Sequence, residues 1–228
     1  MAVSVPQTCS LSTPIDVLLV DARRLVRSGI ERLLQDSGRL RVLEGVASFD
    51  AAIRLARGRP PQVMLVNLPD AAVDVLDGVG KVQRQFPGIK LLVLSDGRDM
   101  IVQERLLQSG VAGIVSNRCE VEELFLAIDT VASGERYIST VLAQRLAERR
   151  MPGAAQTPFD GLTHRELQIL LLVAEGRGMS VIARDLCLTQ KTVNNYRNRL
   201  LEKLGATTEV ELMHLAAQYG LVTIPGYC

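Results

Sequence analysis

Lys191, Asn194, Asn195 and Asn198 lie close together in the chain. Stepping about 100° per residue along a helix brings them onto one side. Arg199 and Lys203 fall on a flank of that side, while Val193, Tyr196, Leu200 and Leu204 gather opposite. Arg197 lies only about 40° from the apolar centre by the same step. An amide donates and accepts at once, so Asn can pair bidentately with adenine in a major groove, and Lys and Arg reach guanine or phosphate. An ordinary amphipathic helix with a solvated polar face carries the same pattern. The helix is therefore judged with the residues around it.

Those residues form a series of helix signals. Thr163 and Glu166 make a T-x-x-E capping box ahead of Leu167, Leu170, Leu171 and Ala174. Gly176 and Gly178 break the chain, and a short apolar helix follows with Ile182, Ala183 and Leu186. Thr189 stands at a natural N-cap for the polar-faced helix, and Gly205 can close it with a positive φ. A last helix, Glu209–Tyr219, carries Val210, Leu212, Met213, Leu215 and Ala216. The expectation is an all-α four-helix unit with a helix-turn-helix at its centre.

Leu162, Thr163, Arg165, Glu166, Ala174, Gly176, Ile182, Ala183, Leu186, Thr192, Val193, Lys203 and Leu204 form a dense, ordered pattern. It resembles the DNA-binding domain of the NarL/FixJ/LuxR family of transcription factors. The runs PFDGLTHRELQI and KTVNNYR are similar to its GacA/UvrY branch. Two departures are Gly178–Val181, in place of a polar stretch, and Tyr196, where many members carry His. The resemblance implies a cytoplasmic regulator that binds double-stranded DNA, with homodimerisation through Glu209–Tyr219 on an inverted repeat. Asn194, Asn195 and Asn198 are then candidates for base edges, and Lys191, Thr192, Arg199 and Lys203 for phosphates.

The N-terminal half alternates short apolar runs with amphipathic stretches. Strands are predicted at Val17–Val20, Arg41–Gly45, Val63–Val66, Lys90–Leu94 and Gly113–Val115. Helices are predicted at Val26–Leu34, Phe49–Ala56, Val73–Arg84, Ile101–Gln108 and Val121–Ala132. Such alternation predicts an α/β fold with a doubly wound, five-stranded parallel sheet covered on both faces. Function in such folds gathers at the carboxyl ends of the strands. The polar residues there are Asp21, Asn67, Ser95 and Asn117.

This layout, with the run SGERYIS after the fifth helix, resembles the flavodoxin-like receiver domain of two-component response regulators over residues 15–135. The resemblance implies what a working receiver holds: two adjacent carboxylates for Mg²⁺, a phosphoacceptor Asp, a hydroxyl and a Lys. Asp21 and Ser95 match it. Ala22 replaces the second carboxylate, Asn67 the acceptor, Asn117 the Lys, and Ile114 an aromatic switch residue. An amide cannot form an acyl phosphate, so the receiver is expected to be degenerate and to work without aspartyl phosphorylation. Asp70 follows Asn67 closely but falls in the loop beyond the apolar run. Arg23, Arg24 and Arg27 beside the pocket read as a solvated start to the first helix; the alternative is a site for an anionic ligand or an acidic partner. The competing function is a protein-interaction module that captures a partner through this face with weak or no DNA binding.

Composition sets the outer bounds. The 228 residues suit two modest domains. The expected division is a tail at 1–14, the receiver at 15–135, a connecting helix and linker at 136–158, the helix-turn-helix domain at 159–222 and a tail at 223–228. Aromatics make up 4% and Trp is absent, so the cores must be aliphatic. The net charge of +1 makes no global case for nucleic acid; the basic charge is local, in Lys191, Arg197, Arg199 and Lys203. Cys9, Cys119, Cys187 and Cys228, with His164 and His214, form no metal-ligand spacing. No metal or other cofactor is expected, and reduced thiols point to a cytosol. No nucleophile–base constellation suggests an enzyme. No run is long enough to span a membrane, and residues 1–14 lack the pattern of a signal peptide.

Overall fold

The structure is a computed structural model that describes residues 14–67, 72–97, 100–151 and 157–222. Asp70, Cys9, Cys228 and most of the linker lie outside the described residues. The first half runs β1 (Ile15–Val20), α1 (Arg24–Asp36), β2 (Leu40–Val46), α2 (Phe49–Gly58), β3 (Val63–Asn67), α3 (Ala72–Gln85), β4 (Lys90–Ser95), α4 (Met100–Gln108), β5 (Gly113–Ser116) and α5 (Val121–Ala132). All strands pair in parallel, in the order β2-β1-β3-β4-β5, as expected for a doubly wound sheet. The order reverses between β1 and β3, so the crevice outside their carboxyl ends is the topological switch point.

Side-chain alternation explains why the sheet is covered on both faces. Val17 and Leu19 point into a core with Leu34, Leu124, Ile128 and Val131 of α1 and α5. Leu18 and Val20 point the other way, toward Ile53, Leu76 and Leu106 of α2, α3 and α4.

One sequence expectation is corrected here. The sheet has six strands, not five, because β6 (Tyr137–Ile138) pairs in parallel with β5. Two residues are too few to show a hydrophobic period. Gly113 makes room for the pairing: a Cβ there would lie 2.7 Å from the Tyr137 carbonyl oxygen. The sheet therefore runs past residue 135, and α6 (Thr140–Arg149) follows it directly and packs on α4 and β5.

The second half contains α7 (His164–Ala174), α8 (Met179–Asp185), α9 (Gln190–Leu204) and α10 (Glu209–Gln218). The capping box of Thr163 and Glu166 is present at the start of α7. Gly205 adopts φ 65°, a left-handed conformation that ends α9 without a Cβ penalty. Leu167, Leu170, Val193, Leu200, Leu212 and Ala216 bury together, and this core is continuous with the α2–α4 side of the sheet. The contact between halves is made by α3 against α7. Arg105 reinforces it by donating to the Leu162 carbonyl at 2.5 Å, and Arg149 pairs with Asp160.

Candidate nucleic-acid interface and receiver pocket

Helix α9 starts where Thr189 Oγ1 accepts from the Thr192 backbone N–H at 3.1 Å. Thr192 Oγ1 lies 2.9 Å from the same oxygen, so this phosphate candidate is engaged in its own cap. Val193 and Leu200 are buried, and Tyr196, Leu201 and Leu204 are half-buried against the core. Lys191, Asn194, Asn195, Asn198 and Arg199 are exposed. The side chains of Lys191, Asn194, Asn195 and Arg199 make no hydrogen bond or ion pair among the described residues. Asn198 Oδ1 accepts from Arg197 at 3.2 Å, which leaves its amide N–H groups outward. Arg197 in turn pairs with Glu209 at the start of α10, so it braces one helix against the next.

Lys203 differs from the other candidates. Its ammonium lies 2.8 Å from Glu166, whose side chain is only 5% exposed. Glu166 Oε2 also accepts from Thr163 N at 2.8 Å and Thr163 Oγ1 at 3.0 Å. Burial pushes the Glu166 carboxyl up, but the Lys203 and Thr163 donors outweigh it and hold it below the usual range. The capping box of α7 thus grips the last turn of α9. The box and the lysine are each legible in the sequence, but their union across 37 positions is not. Arg165 acts similarly, donating to the Leu186 carbonyl at 2.7 Å and so fixing the end of α8. On α10, Leu212 and Ala216 face the core while Val210 is 56% exposed, an apolar residue on the expected dimer helix. Tyr219 sets its ring edge against Phe159, with centroids 5.4 Å apart.

The receiver pocket forms at the carboxyl ends of β1 and β3. Asp21 is 1% exposed and Asn67 5%. Asn67 Nδ2 donates to Asp21 Oδ2 at 2.7 Å. Arg23 folds back on the same carboxylate: its backbone N–H and Nε donate to Oδ1 at 2.8 and 3.2 Å, and Nη2 donates to Oδ2 at 3.2 Å. Arg27 donates to the Asp21 carbonyl at 2.7 Å. Two of the three arginines considered for an anion site are thus turned onto Asp21. Ser95 is buried and its Oγ accepts from Gly97 N at 3.3 Å. Asn117 is exposed, and among the described residues it joins the group only through its backbone N–H, which donates to the Ser95 carbonyl at 2.8 Å.

A divalent cation does not fit these residues. Mg²⁺ requires several hard oxygens around an octahedron. Both oxygens of Asp21 already face N–H donors, Ala22 offers none, and Asp77 and Asp185 on the same cavity are paired with Lys81 and with Arg177 and Arg184. Asn67 Oδ1 is a buried acceptor without a partner among the described residues, but a single amide oxygen does not make a metal site.

The family described as "Bacterial regulatory proteins, luxR family" matches residues 160–216. The chain is 39% identical to the response regulator GacA of Pseudomonas aeruginosa over 209 residues, covering 91% of this chain and 98% of that protein. It is 35% identical to the response regulator UvrY of Escherichia coli K12 over 208 residues, covering 91% and 95%. Among solved structures, the RcsB response regulator of Salmonella typhimurium aligns with a TM-score of 0.72 at 20% identity, over 91% of this chain and 99% of that one. A structure of two RcsB dimers bound to two parallel DNAs aligns with a TM-score of 0.57 at 20% identity, over 90% and 98%. At that identity the likeness is one of fold. No helix among the described residues is long and apolar enough to cross a membrane.

Proposed function

The chain belongs to the LuxR-type response regulators, the group of GacA and UvrY, and on that premise we propose that it regulates transcription without aspartyl phosphorylation. It is a DNA-binding transcription regulator of a two-component system and not an enzyme. In this reading α9 enters the major groove and presents Asn194, Asn195 and Asn198 to base edges. Lys191 and Arg199 approach phosphates. Two copies pair through α10 on an inverted repeat, in keeping with the dimers that RcsB forms on DNA.

The observation that supports phosphorylation independence is the covered Asp21 carboxylate beside an amide in the acceptor's place. Asn67 is a weak nucleophile that spends its N–H on Asp21, and the Arg23 guanidinium covers the carboxylate where a metal would bind. Acetyl phosphate or beryllofluoride with Mg²⁺ is expected to change neither the dimer fraction nor the affinity in a DNA shift assay. A hydroxylamine-labile phosphoryl group found on Asp70 by mass spectrometry overturns the reading. Failure to shift any genomic fragment favours the protein-capture alternative.

A further inference from the structure

Asp21 and Asn67 form one wall of a cavity of about 400 Å³. It lies at the switch point of the sheet, and Asp185 at the end of α8 contributes to its far side. Its volume falls within the roughly 300–1,000 Å³ of small-molecule sites. Asp21, Asp50, Asp77, Asp185 and Lys81 line it, and of the four carboxylates Asp21 is already covered by Arg23. Lys81 is already bound to Asp77 at 2.7 Å. That hydrogen bond holds its ammonium above the ordinary range, and the field of Asp50 adds to the effect. Asp185 pairs with Arg177 and Arg184 at 3.4 and 3.7 Å. Asp50 sits in the first turn of α2 and makes no side-chain hydrogen bond or ion pair among the described residues.

A second, independent feature marks the same wall. Asn67 is 5% exposed and its Oδ1 has no hydrogen-bond partner among the described residues. The amide cannot be turned over, because Nδ2 lies 2.7 Å from Asp21 Oδ2 and an oxygen there would meet another oxygen. A buried carbonyl is unfavourable unless a donor reaches it. The rest of the lining includes Phe49, Val66 and Val75, which suit an apolar stem.

We propose that this cavity binds a small organic amine, with its ammonium donating to Asn67 Oδ1 in the field of Asp50 and its stem against Phe49 and Val75. A primary ammonium has three donors and needs no octahedral shell, so it fits where Mg²⁺ does not. Among the described residues an anion finds no free cation on the lining, because Lys81 is paired with Asp77, and it meets the unpaired Asp50. Because Asp185 belongs to α8 and the other residues to the receiver, an occupant holds the two halves together and stabilises the docked arrangement. The inference rests on the reading that the pocket no longer performs phosphoryl chemistry.

Isothermal titration calorimetry of the full chain tests it, with putrescine, agmatine and phenethylamine as probes and acetate and inorganic phosphate as controls. At least one amine is expected to bind saturably at one per chain and to raise Tm, and neither anion to bind. Asn67→Leu keeps the bulk and removes the acceptor, and Asp50→Asn removes a charge. Each is expected to weaken amine binding about tenfold. Asn67→Asp adds a charge beside the ammonium and is expected to strengthen it. Circular dichroism confirms folding, and if Asn67→Leu fails that check the other two variants decide. The proposal is overturned if folded protein binds none of the amines, if it binds the anions instead, or if the folded variants bind as the parent does. DNA binding and phosphoryl labelling are measured separately. Their outcome bears on the regulatory reading and leaves the calorimetric result intact.

Discussion

The receiver pocket and the face of α9 are both rows of polar side chains rich in Asn, yet they are arranged in opposite ways. In the pocket the polar groups look at one another: Asn67 and Arg23 both donate to Asp21, which leaves Asn67 Oδ1 as the one unpartnered buried oxygen at that wall among the described residues. On α9, Lys191, Asn194, Asn195 and Arg199 look outward with no partner among the described residues. A buried polar group must be satisfied internally, whereas an exposed one is satisfied by water and can exchange that water for a base or a phosphate. The same residue type therefore serves closure in one region and readiness in the other. Lys203 stands between the two, placed on the binding helix but bound to a buried carboxylate.

Lys203 offers the most forceful way to break this comparison. Lys203→Ala leaves Glu166 buried without its cation and is expected to cost about 2–4 kcal/mol of stability. If Lys203 belongs to the inward class, the slope of log K against log salt for the folded variant stays unchanged. A slope smaller by about one unit, with Tm preserved, instead makes it a phosphate contact. Glu166→Gln supplies a pH check. The Glu166 carboxyl lies below its ordinary value of 4.5, so its contribution is complete above that pH and is lost as pH falls through the lowered value. The variant is expected to lose that part of the acid limb in thermal melts.

Asn67→Asp attacks the closed pocket. It sets a second carboxylate against Asp21 and is expected to destabilise the receiver by about 2–3 kcal/mol at neutral pH. It is also expected to remain unlabelled by acetyl phosphate, since Ala22 and Asn117 still lack the metal ligand and the cation. Only with Ala22→Asp and Asn117→Lys added is labelling expected, because these parts act as a unit. Robust labelling of Asn67→Asp alone shows that the pocket retains its function.

On the outward face, Asn195→Ala and Asn198→Ala are expected to cost about 1–3 kcal/mol of discrimination at one operator position each, with Tm unchanged. Equal losses on specific and random DNA remove the assignment of base contacts. The smallest effect concerns the seam between the two halves. His164 is pushed below its ordinary 6.5 by burial and by Arg105 and Arg165, with Asp77 opposing. The folded state therefore resists its protonation, and stability present above about pH 6.5 is lost below it. His164→Gln is expected to flatten Tm between pH 7.5 and 5.5; an unchanged slope removes His164 from the seam's pH response.

Much of this was legible in the chain itself. The capping box, the N-cap Thr189, the terminating Gly205 and the polar face of α9 all depend on residues a few positions apart, within reach of helical periodicity. The alternation of strands and helices depended on similarly short patterns, and the residue types of Ala22, Asn67 and Asn117 are read from the chain alone. Only the tertiary structure decided the rest. It added β6, a strand too short to show a period, and turned the still-exposed Arg23 onto Asp21. It joined Lys203 to Glu166 across 37 positions and brought Asp185 to the wall of the receiver's cavity. These pairings join long, flexible side chains or distant elements. Their partners are set by which surfaces meet when the core closes, and local sequence carries no record of that distance.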